Sequence, residues 1–231
     1  VLELAGRVDG MAILGRTVDD DVVQRVAASG LPLVLIARQP VGGVDNVRTR
    51  NSETAAELAA HLAAHGHRRV VFLGDPAGSP DVTGRFAGLT AGLRAAGLPA
   101  PTAVECAIDM AAGEATARGM LARRTRPDVV VCANDEVALG VHLAAEAAGL
   151  RIPDDLAVTG WDDVLAARFA GLTTVRQPMR ELGAVAARWL HERISTRTAK
   201  DDSARRARRR VLPTQLVVRR SCGSHPPEVT T

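Results

Sequence analysis

Short apolar runs alternate along this chain with longer segments whose apolar residues recur at the spacing of a helix face. The apolar runs predict strands at Met11–Leu14, Leu33–Ile36, Val70–Leu73, 129–133 and 156–159, with a weaker one at 103–107. The longer segments predict helices at 19–29, from Asn51 or Ser52 to Gly66, around 86–93 before Gly97, and at 112–123, 136–148 and 179–194. Residues 211–218 are predicted to close the chain as one extended segment.

These strands are apolar throughout rather than alternately apolar and polar, so both faces of their sheets must be covered. Strands that alternate with helices form parallel sheets with right-handed crossovers, which predicts a doubly wound α/β fold. Two stretches are predicted to lie outside the globular part: an insertion at 195–210, rich in Arg, Thr and Asp, and a tail from Ser224.

The composition, with 46% hydrophobic and 24% charged residues, is typical of a globular domain. Aromatic residues make up only 2% and tyrosine is absent, which argues against a platform of stacked aromatics for single-stranded nucleic acid. The net charge of +3 is more than accounted for by one run of five arginines, Arg205, Arg206, Arg208, Arg209 and Arg210. Such a run is typical of a solvated loop, and a patch for DNA or an acidic partner is the alternative.

Three cysteines, Cys106, Cys132 and Cys222, form no C-x-x-C pair, and Cys132 lies within an apolar run. An odd number of cysteines of this kind favours a reducing compartment. No stretch approaches the ~20 apolar residues that span a bilayer, and the first residues lack the layout of a secretory signal. We therefore expect a cytoplasmic protein with no membrane partner.

The sequence lacks the common signatures of enzymes. It contains no P-loop, no G-x-G-x-x-G after a strand and no G-x-S-x-G elbow. His65 and His67 have no third metal ligand nearby and are interpreted as donors at a helix C-terminus. Gly84, Gly88 and Gly92, four residues apart, predict close helix packing. We expect no catalysis, no cofactor and no metal.

Two polar pairs stand where predicted strands end: Asn134-Asp135 and Asp162-Asp163. In open α/β sheets that edge is where ligands bind. Capping of the next helix is the alternative for Asn134 or Asp135. A glycosidase-type carboxylate pair would require a set separation that sequence does not reveal. Their position favours binding.

Four further blocks carry a resemblance to a known family. They are PDVVVCANDEVALG at 127–140, GLRIPDDLAVTGWDD at 149–163, LTTVRQP at 172–178 and LPTQLVVRRS at 212–221. Together with VDG at 8–10 and HGHR at 65–68, they make the chain resemble the lactose-repressor/galactose-repressor (LacI/GalR) family of bacterial transcriptional regulators. The resemblance covers about residues 8–221.

The resemblance implies a type I periplasmic-binding-protein-like fold with two doubly wound parallel-sheet lobes, the first of them incomplete. The first lobe would comprise residues 1–49 and 177–212, the second 50–176 and 213–223, and 224–231 would be a disordered tail. Crossings between lobes are placed near Thr49, Gln177 and Pro213. The family's helix-turn-helix head and its first strand–helix units have no counterpart in this sequence.

The resemblance also implies a ligand-sensing domain that binds a small polar effector, a sugar or related metabolite, in a cleft between the lobes and controls DNA binding allosterically. Operator DNA would be contacted only through the head. A sugar-binding protein of a transport system shares the fold and is the alternative. It would have a secretory signal and would lack the ending L-P-x-x-L-[IV]-x-R-x-S, which this chain has.

By resemblance, Arg85, Asn134, Asp162 and Gln177 face the ligand, and Trp161 either walls the pocket or packs in the core. The position after the strand Leu33–Ile36 is often Asp in sugar-binding members, whereas here it is Ala37, followed by Arg38. A homodimer is also implied. The predicted helix at 136–148 carries Val137, Val141 and Leu143, more apolar surface than one buried face requires.

Overall fold

The computed structural model describes residues 1–196 and 206–223. The strands are β1 Met11–Leu14, β2 Leu33–Ile36, β3 Asp45–Thr49, β4 Val70–Leu73, β5 Thr102–Val104, β6 Val129–Cys132, β7 Ala157–Thr159, β8 Thr174–Arg176, β9 Arg209–Leu212 and β10 Gln215–Val217. The helices are α1 Leu2–Ala5, α2 Asp20–Ala28, α3 Asn51–Ala64, α4 Pro80–Ala95, α5 Met110–Leu121, α6 Asp135–Ala147, α7 Leu165–Ala170 and α8 Met179–Thr196. A short 3-10 helix follows at Arg220–Cys222.

The chain folds into two compact units. Unit 1 comprises Val1–Arg50, Ser79–Asp81 and Pro178–Pro213, and unit 2 comprises Asn51–Gly78, Val82–Gln177 and the chain from Thr214. The long segments therefore change unit after Arg50, Gln177 and Pro213. The resemblance implies crossings between lobes near Thr49, Gln177 and Pro213, and these residues lie within two positions of the points at which the chain changes unit.

Unit 1 is a parallel sheet in the order β1-β2-β3-β9 with helices on both faces. Leu33 and Leu35 of β2 pack in a cluster with Val23 and Val26 of α2. Val34, between those two leucines, packs instead in a cluster with α8. Successive side chains of a strand point to opposite faces, so one apolar strand contributes to both cores.

Unit 2 repeats this design with a parallel sheet in the order β5-β4-β6-β7. Val129 and Val131 of β6 lie in the core with α3 and α4, and Val130 lies in the core with α5 and α6. The strands β8 and β10 form a separate antiparallel pair. The predicted doubly wound, periplasmic-binding-protein-like α/β class is confirmed. β5 and β6 lie on opposite sides of β4, so the order in which strands are added to the sheet reverses between β4 and β6. Doubly wound folds bind ligands at the carboxyl ends of the strands at such a point.

Several predicted elements differ from the structure. The segment 211–218 is not one strand: β9 belongs to unit 1 and β10 to unit 2. The sequence analysis also missed β3, β8 and α7, together with the short α1. β3 escapes a search for apolar runs because Asp45, Asn46 and Arg48 stand among its residues.

The prediction of a non-globular insertion at 195–210 is wrong for its described residues. Ser195 and Thr196 belong to α8, and Arg209 and Arg210 begin β9. Arg208 donates to Asp45 at 2.7 Å and stacks over the ring of Trp189, 4.9 Å from its centre. Residues 197–205, including Arg205, and the predicted tail 224–231 lie outside the described residues.

The carboxylate of Asp45 joins α8 to the residue before β9. It is buried and accepts hydrogen bonds from Arg193 of α8 and from Arg208 before β9. Burial alone would raise the pKa of Asp45, but the bonds from the two arginines lower it below its usual value. Part of the arginine run therefore serves the core of unit 1 and is not a free basic loop.

Among the helices of residues 1–196 and 206–223, none is both long and apolar enough to cross a bilayer.

Candidate ligand-binding site

The predicted site residues all belong to unit 2, and the sheet explains their placement. Asn134 follows β6, Trp161 and Asp162 follow β7, and Gln177 follows β8. Arg85 lies in the second turn of α4, the helix that follows β4. Parallel strands β4, β6 and β7 end at one edge, so segments far apart in sequence meet there.

Asp162 is the centre of this group. Its Oδ1 accepts a hydrogen bond of 2.5 Å from Nε2 of Gln177 and lies 3.9 Å from Nη2 of Arg85. Burial raises the pKa of Asp162, an effect opposed by the charge of Arg85 and the bond from Gln177. The side chain keeps 32% of its surface exposed. Within the described part of the chain, its second oxygen, Oδ2, accepts no hydrogen bond, which leaves a charged acceptor at the edge of the sheet.

The backbone around Asp162 is held in an uncommon conformation. Asp162 and Asp163 have φ angles of 115° and 58°, which non-glycine residues rarely adopt. The N–H of Asp162 donates to the carbonyl of Val175 at 2.8 Å. This bond to β8 fixes the loop on which the acidic pair stands.

The two carboxylates of the Asp162-Asp163 pair have different roles. Asp163 is buried and binds Arg219 at 2.6 Å and Arg176 at 2.7 Å, with Arg168 at 3.8 Å. Burial raises the pKa of Asp163, but the bonds from the two nearer arginines more than offset this and lower it. Asp163 therefore ties the loop to β8 and to the chain before the 3-10 helix, and only Asp162 faces outward.

Arg85 is held by two fixed acceptors. Its Nε donates to Oδ1 of Asn51 at 3.2 Å and its Nη1 to the carbonyl of Ala133 at 2.6 Å. Its guanidinium group lies 4.8 Å from the ring centre of Trp161, a cation–π contact. With 7% of its surface exposed, Arg85 is a preorganised, desolvated cation beside Asp162.

Trp161 packs in the core beneath Arg85. It is 2% exposed and clusters with Ala55 and Val175, which favours packing over an open apolar wall. Its ring Nε1 is buried without a hydrogen-bond partner among the described residues. Buried donors of this kind are rare in proteins, and a bound ligand or an ordered water can satisfy them.

Asn134 performs the capping role considered as the alternative to binding. Its Oδ1 accepts from the N–H of Val137 at 2.9 Å, which caps α6. The cap leaves its Nδ2 group as the donor that could meet a ligand. Asn134 is linked to Asp162 through its neighbour in sequence: the carbonyl of Ala133 accepts from Arg85, which lies beside Asp162.

Sequence reasoning missed two contributors to this edge. The sequence indicates Asn51 only as a possible start of α3, yet its side chain accepts from Arg85, 34 residues away. Asp135 was considered together with Asn134, but its carboxylate is wholly buried and bonds Thr174 at 2.6 Å and Val164 at 2.9 Å. Asn134 and Asp135 both follow the end of β6. The local sequence therefore does not show that Asn134 caps α6 while Asp135 bonds segments distant in sequence.

The histidines at the end of α3 contact the 3-10 helix. Nε2 of His67 lies 2.8 Å from the carbonyl oxygen of Cys222, and Nε2 of His61 lies 3.3 Å from the sulfur of the same residue. In the described ranges, no group of three or more His, Cys, Asp or Glu side chains could hold a metal ion.

Comparison with known proteins places these features in context. The model of the periplasmic binding protein-like domain family matches residues 59–222. The transcriptional repressor PurR of Mannheimia succiniciproducens is 31% identical over 221 residues, 93% of this chain and 64% of that protein. The ribose operon repressor of Escherichia coli is 32% identical over 200 residues, 83% of this chain and 60% of that protein. The chain thus spans less than two thirds of both repressors.

Solved structures agree with this relationship. A LacI family transcriptional regulator from Enterococcus faecium with bound ribose superposes with a TM-score of 0.85 at 25% identity, covering 97% of this chain and 83% of that one. The complex of the transcriptional regulator CelR with cellobiose has a TM-score of 0.81 at 30% identity, covering 95% of this chain and 68% of that one. These similar proteins are regulators, and two of them hold sugars.

Proposed function

Because this chain belongs to the LacI/GalR family of transcriptional regulators, with a periplasmic binding protein-like domain, we propose that it senses a small polyhydroxylated effector for a repressor. The main support for this proposal is the carboxylate of Asp162, which lies beside the guanidinium group of Arg85. One of its oxygens is held by Gln177, and the other has no partner among the described residues. The ribose and cellobiose in two similar regulators support a carbohydrate-like ligand.

The chemistry of the site suits a polyol. A carboxylate oxygen accepts hydrogen bonds from hydroxyl groups, and amide and guanidinium groups donate to hydroxyl oxygens. Asp162 supplies the acceptor, and Arg85, Gln177 and the Nδ2 group of Asn134 supply donors. The ring of Trp161 makes a cation–π contact with Arg85, and its buried Nε1–H is a further potential donor to a ligand. We propose these five residues of unit 2 as the ligand contacts.

Unit 1 departs from the sugar-binding pattern at Ala37 and Arg38. Arg38 is buried and bonds the carbonyl of Val18 and the carboxylate of Asp20. It is thereby engaged within unit 1 and does not replace the missing aspartate as an acceptor. We therefore expect the acceptors for ligand hydroxyls to come mainly from unit 2, with Asp162 foremost.

Regulation is proposed to act through the connection at Gln177. This residue is the last of unit 2 before the chain passes into unit 1, and its amide bonds the carboxylate that meets the ligand. A ligand that changes this bond acts on the connection itself, which supplies the differential contact that allostery requires. Operator DNA would be bound by a head domain outside this sequence, and a DNA-binding regulator belongs in the cytoplasm.

Self-association is proposed through α7 rather than α6. Val137 and Val141 of α6 are fully buried within unit 2, and of the three apolar residues expected to form a surplus only Leu143 is exposed, at 41%. On α7, by contrast, Phe169 is 81% exposed and Leu165 is 68% exposed. Two large apolar side chains one turn apart form a surface that an isologous contact would cover.

Titration calorimetry of the chain with D-ribose and with cellobiose tests the proposed function. We expect saturable binding of at least one sugar, with binding weakened in Asp162→Ala and Arg85→Ala. Asp128→Ala, which removes a carboxylate bonded to Arg69 away from the site, is the control and should bind like wild type. If both site variants stay folded and bind the sugar as wild type does, the site is misplaced.

A further inference from the structure

Asp135 joins three segments beneath the candidate site. It is wholly buried at the first position of α6. Its Oδ2 accepts from the N–H of Val164 at 2.9 Å, and its Oδ1 accepts from the hydroxyl of Thr174 in β8 at 2.6 Å. Its own N–H donates to the carbonyl of Trp161 at 2.8 Å. One residue thus bonds the loop 160–164 at both ends and β8 behind it.

The fit of this loop over Asp135 is close. A Cβ atom at Gly160 would overlap Oδ1 of Asp135, so the backbone lies directly on the carboxyl group. The loop carries Trp161, Asp162 and Asp163. The bonds that Asp135 makes with Trp161 and Val164 add to the bond between Asp162 and Val175 in holding Asp162 in its left-handed conformation.

We infer that Asp135 is a positioning residue for the ligand site, whose carboxyl group fixes the loop 160–164 and thereby aims Asp162 and Trp161. Asp135 does not face the ligand and acts through the loop. The inference rests on the proposed function only where ligand binding is the readout, because the position of the loop is measurable without a ligand.

The protonation state of Asp135 offers a specific signature. Burial raises its pKa to about 6, against the opposing bonds from Thr174 and Val164. The charged groups that face it are Asp162 and Asp163 of the loop, which raise the pKa further. The thiol of Cys132, on β6, also faces it.

Both protonation states can hold the loop. The ionised carboxylate accepts from Thr174 and from Val164, as described. The neutral acid would donate from one oxygen to the Thr174 hydroxyl and accept from Val164 with the other. Asn has the same shape as the neutral acid and the same donor and acceptor, but it does not titrate. Asp135→Asn should therefore preserve the loop and remove the change of charge beneath Trp161 that accompanies titration of Asp135.

The experiment uses Trp161 as a reporter. The chain has two tryptophans, so Trp189→Phe leaves Trp161 as the only emitter. In that background we expect the emission to change between pH 5 and 7, with a midpoint near 6 set by Asp135. Asp135→Asn should show at every pH the spectrum that wild type has with Asp135 protonated, and should lose the midpoint. Asp135→Ala should shift the spectrum at every pH, because the side-chain bond to Val164 of the loop and the bond to Thr174 of β8 are both lost.

Two controls separate positioning from general stability. Asp128→Ala removes a carboxylate that accepts from the backbone N–H groups of Arg68 and Arg69, and it should keep the emission midpoint. If Asp135→Ala does not fold, Thr174→Val replaces it: this variant deletes the bond from β8, which lowers the pKa of Asp135, and it should raise the emission midpoint while the bond to Val164 remains. A folded Asp135→Ala with the wild-type spectrum, or an Asp135→Asn that retains the midpoint, would overturn the inference.

Ligand binding adds a second, separable readout. If wild type binds D-ribose or cellobiose, Asp135→Ala should weaken that binding by about tenfold or more, since a misplaced contact group loses most of its interaction, whereas Asp135→Asn should bind comparably. If wild type binds neither sugar, the proposed effector class fails while the emission result still decides the role of Asp135.

Discussion

The side-chain amide of Gln177 donates a 2.5 Å hydrogen bond to Oδ1 of Asp162, joining the end of β8 to the loop after β7. Fifteen residues separate the two in sequence. The bond occupies one carboxylate oxygen of Asp162 and joins this residue to Gln177, after which the chain passes from unit 2 into unit 1.

Removal of the Asp162 carboxylate should weaken effector binding with little effect on folding. Asp162→Ala is expected to cost about 1–3 kcal/mol of binding free energy, the value of a hydrogen bond to a charged group. Calorimetry with a bound sugar measures the loss, and thermal unfolding checks the fold. An unchanged dissociation constant would remove Asp162 from the site.

Asp163, its neighbour, should show the opposite behaviour. Asp163→Ala leaves Arg219 and Arg176 without their buried partner, and we expect a loss of about 2–4 kcal/mol in the free energy of unfolding, reduced by the partial exposure of Arg176. Because the pKa of Asp163 is lowered in the folded state, its contribution is present above the ordinary carboxyl pKa and is lost as the pH falls through the folded value. Urea unfolding at neutral and at acidic pH should show the two proteins converging in acid.

Close packing of α4 on α3 should make Gly88 intolerant of any side chain. A Cβ there would overlap the backbone carbonyl of Ser52, so Gly88→Ala should destabilise by about 1–3 kcal/mol through overpacking. Gly119 of α5 has no atom within 4 Å of its Cβ position. Gly119→Ala should therefore be neutral or stabilising by up to about 1 kcal/mol. Equal effects of the two substitutions in chemical denaturation would refute the packing argument.

Charge introduced on α7 should oppose self-association. We expect wild type to sediment as a dimer at tens of micromolar, roughly the range of weak dimers, and Phe169→Lys to shift it toward monomer. Met179→Lys replaces another exposed apolar residue, in unit 1, and should leave the dimer intact. A monomeric wild type, or two variants that behave alike, would exclude α7 as the interface.

This chain alone should not recognise a DNA sequence. Arg208 is engaged by Asp45 and Glu192, and Arg210 is paired with Glu181. The remaining basic surface can give at most a salt-sensitive association that is blind to sequence. Fluorescence anisotropy with several duplexes at low and moderate salt measures this, and a clear preference for one duplex would overturn the assignment of DNA reading to a head domain.

The sequence by itself determined the elements whose signal is local. The apolar runs predict β1, β2 and β4 with their observed bounds, because a run of four apolar residues is too short for a helix and long enough for a buried strand. The same local reasoning placed Asn134 and Asp162 at strand ends, and parallel connectivity is enough to bring strand ends to one edge. The four quoted blocks then identified the family.

Only the tertiary structure decided which polar residues face outward at the candidate site and which are enclosed in the core. Nothing in the local sequence shows that Asp45 is buried, because its partners Arg193 and Arg208 lie 148 and 163 positions away. The same ion pairs lie next to β9, whose first two residues the sequence alone predicts to be part of a non-globular insertion. Asp162 and Asp163 are adjacent and chemically identical, yet one faces outward and the other is enclosed by arginines. The role of a carboxylate depends on the charges and donors around it in space, and those partners come from segments whose approach is fixed by the fold as a whole.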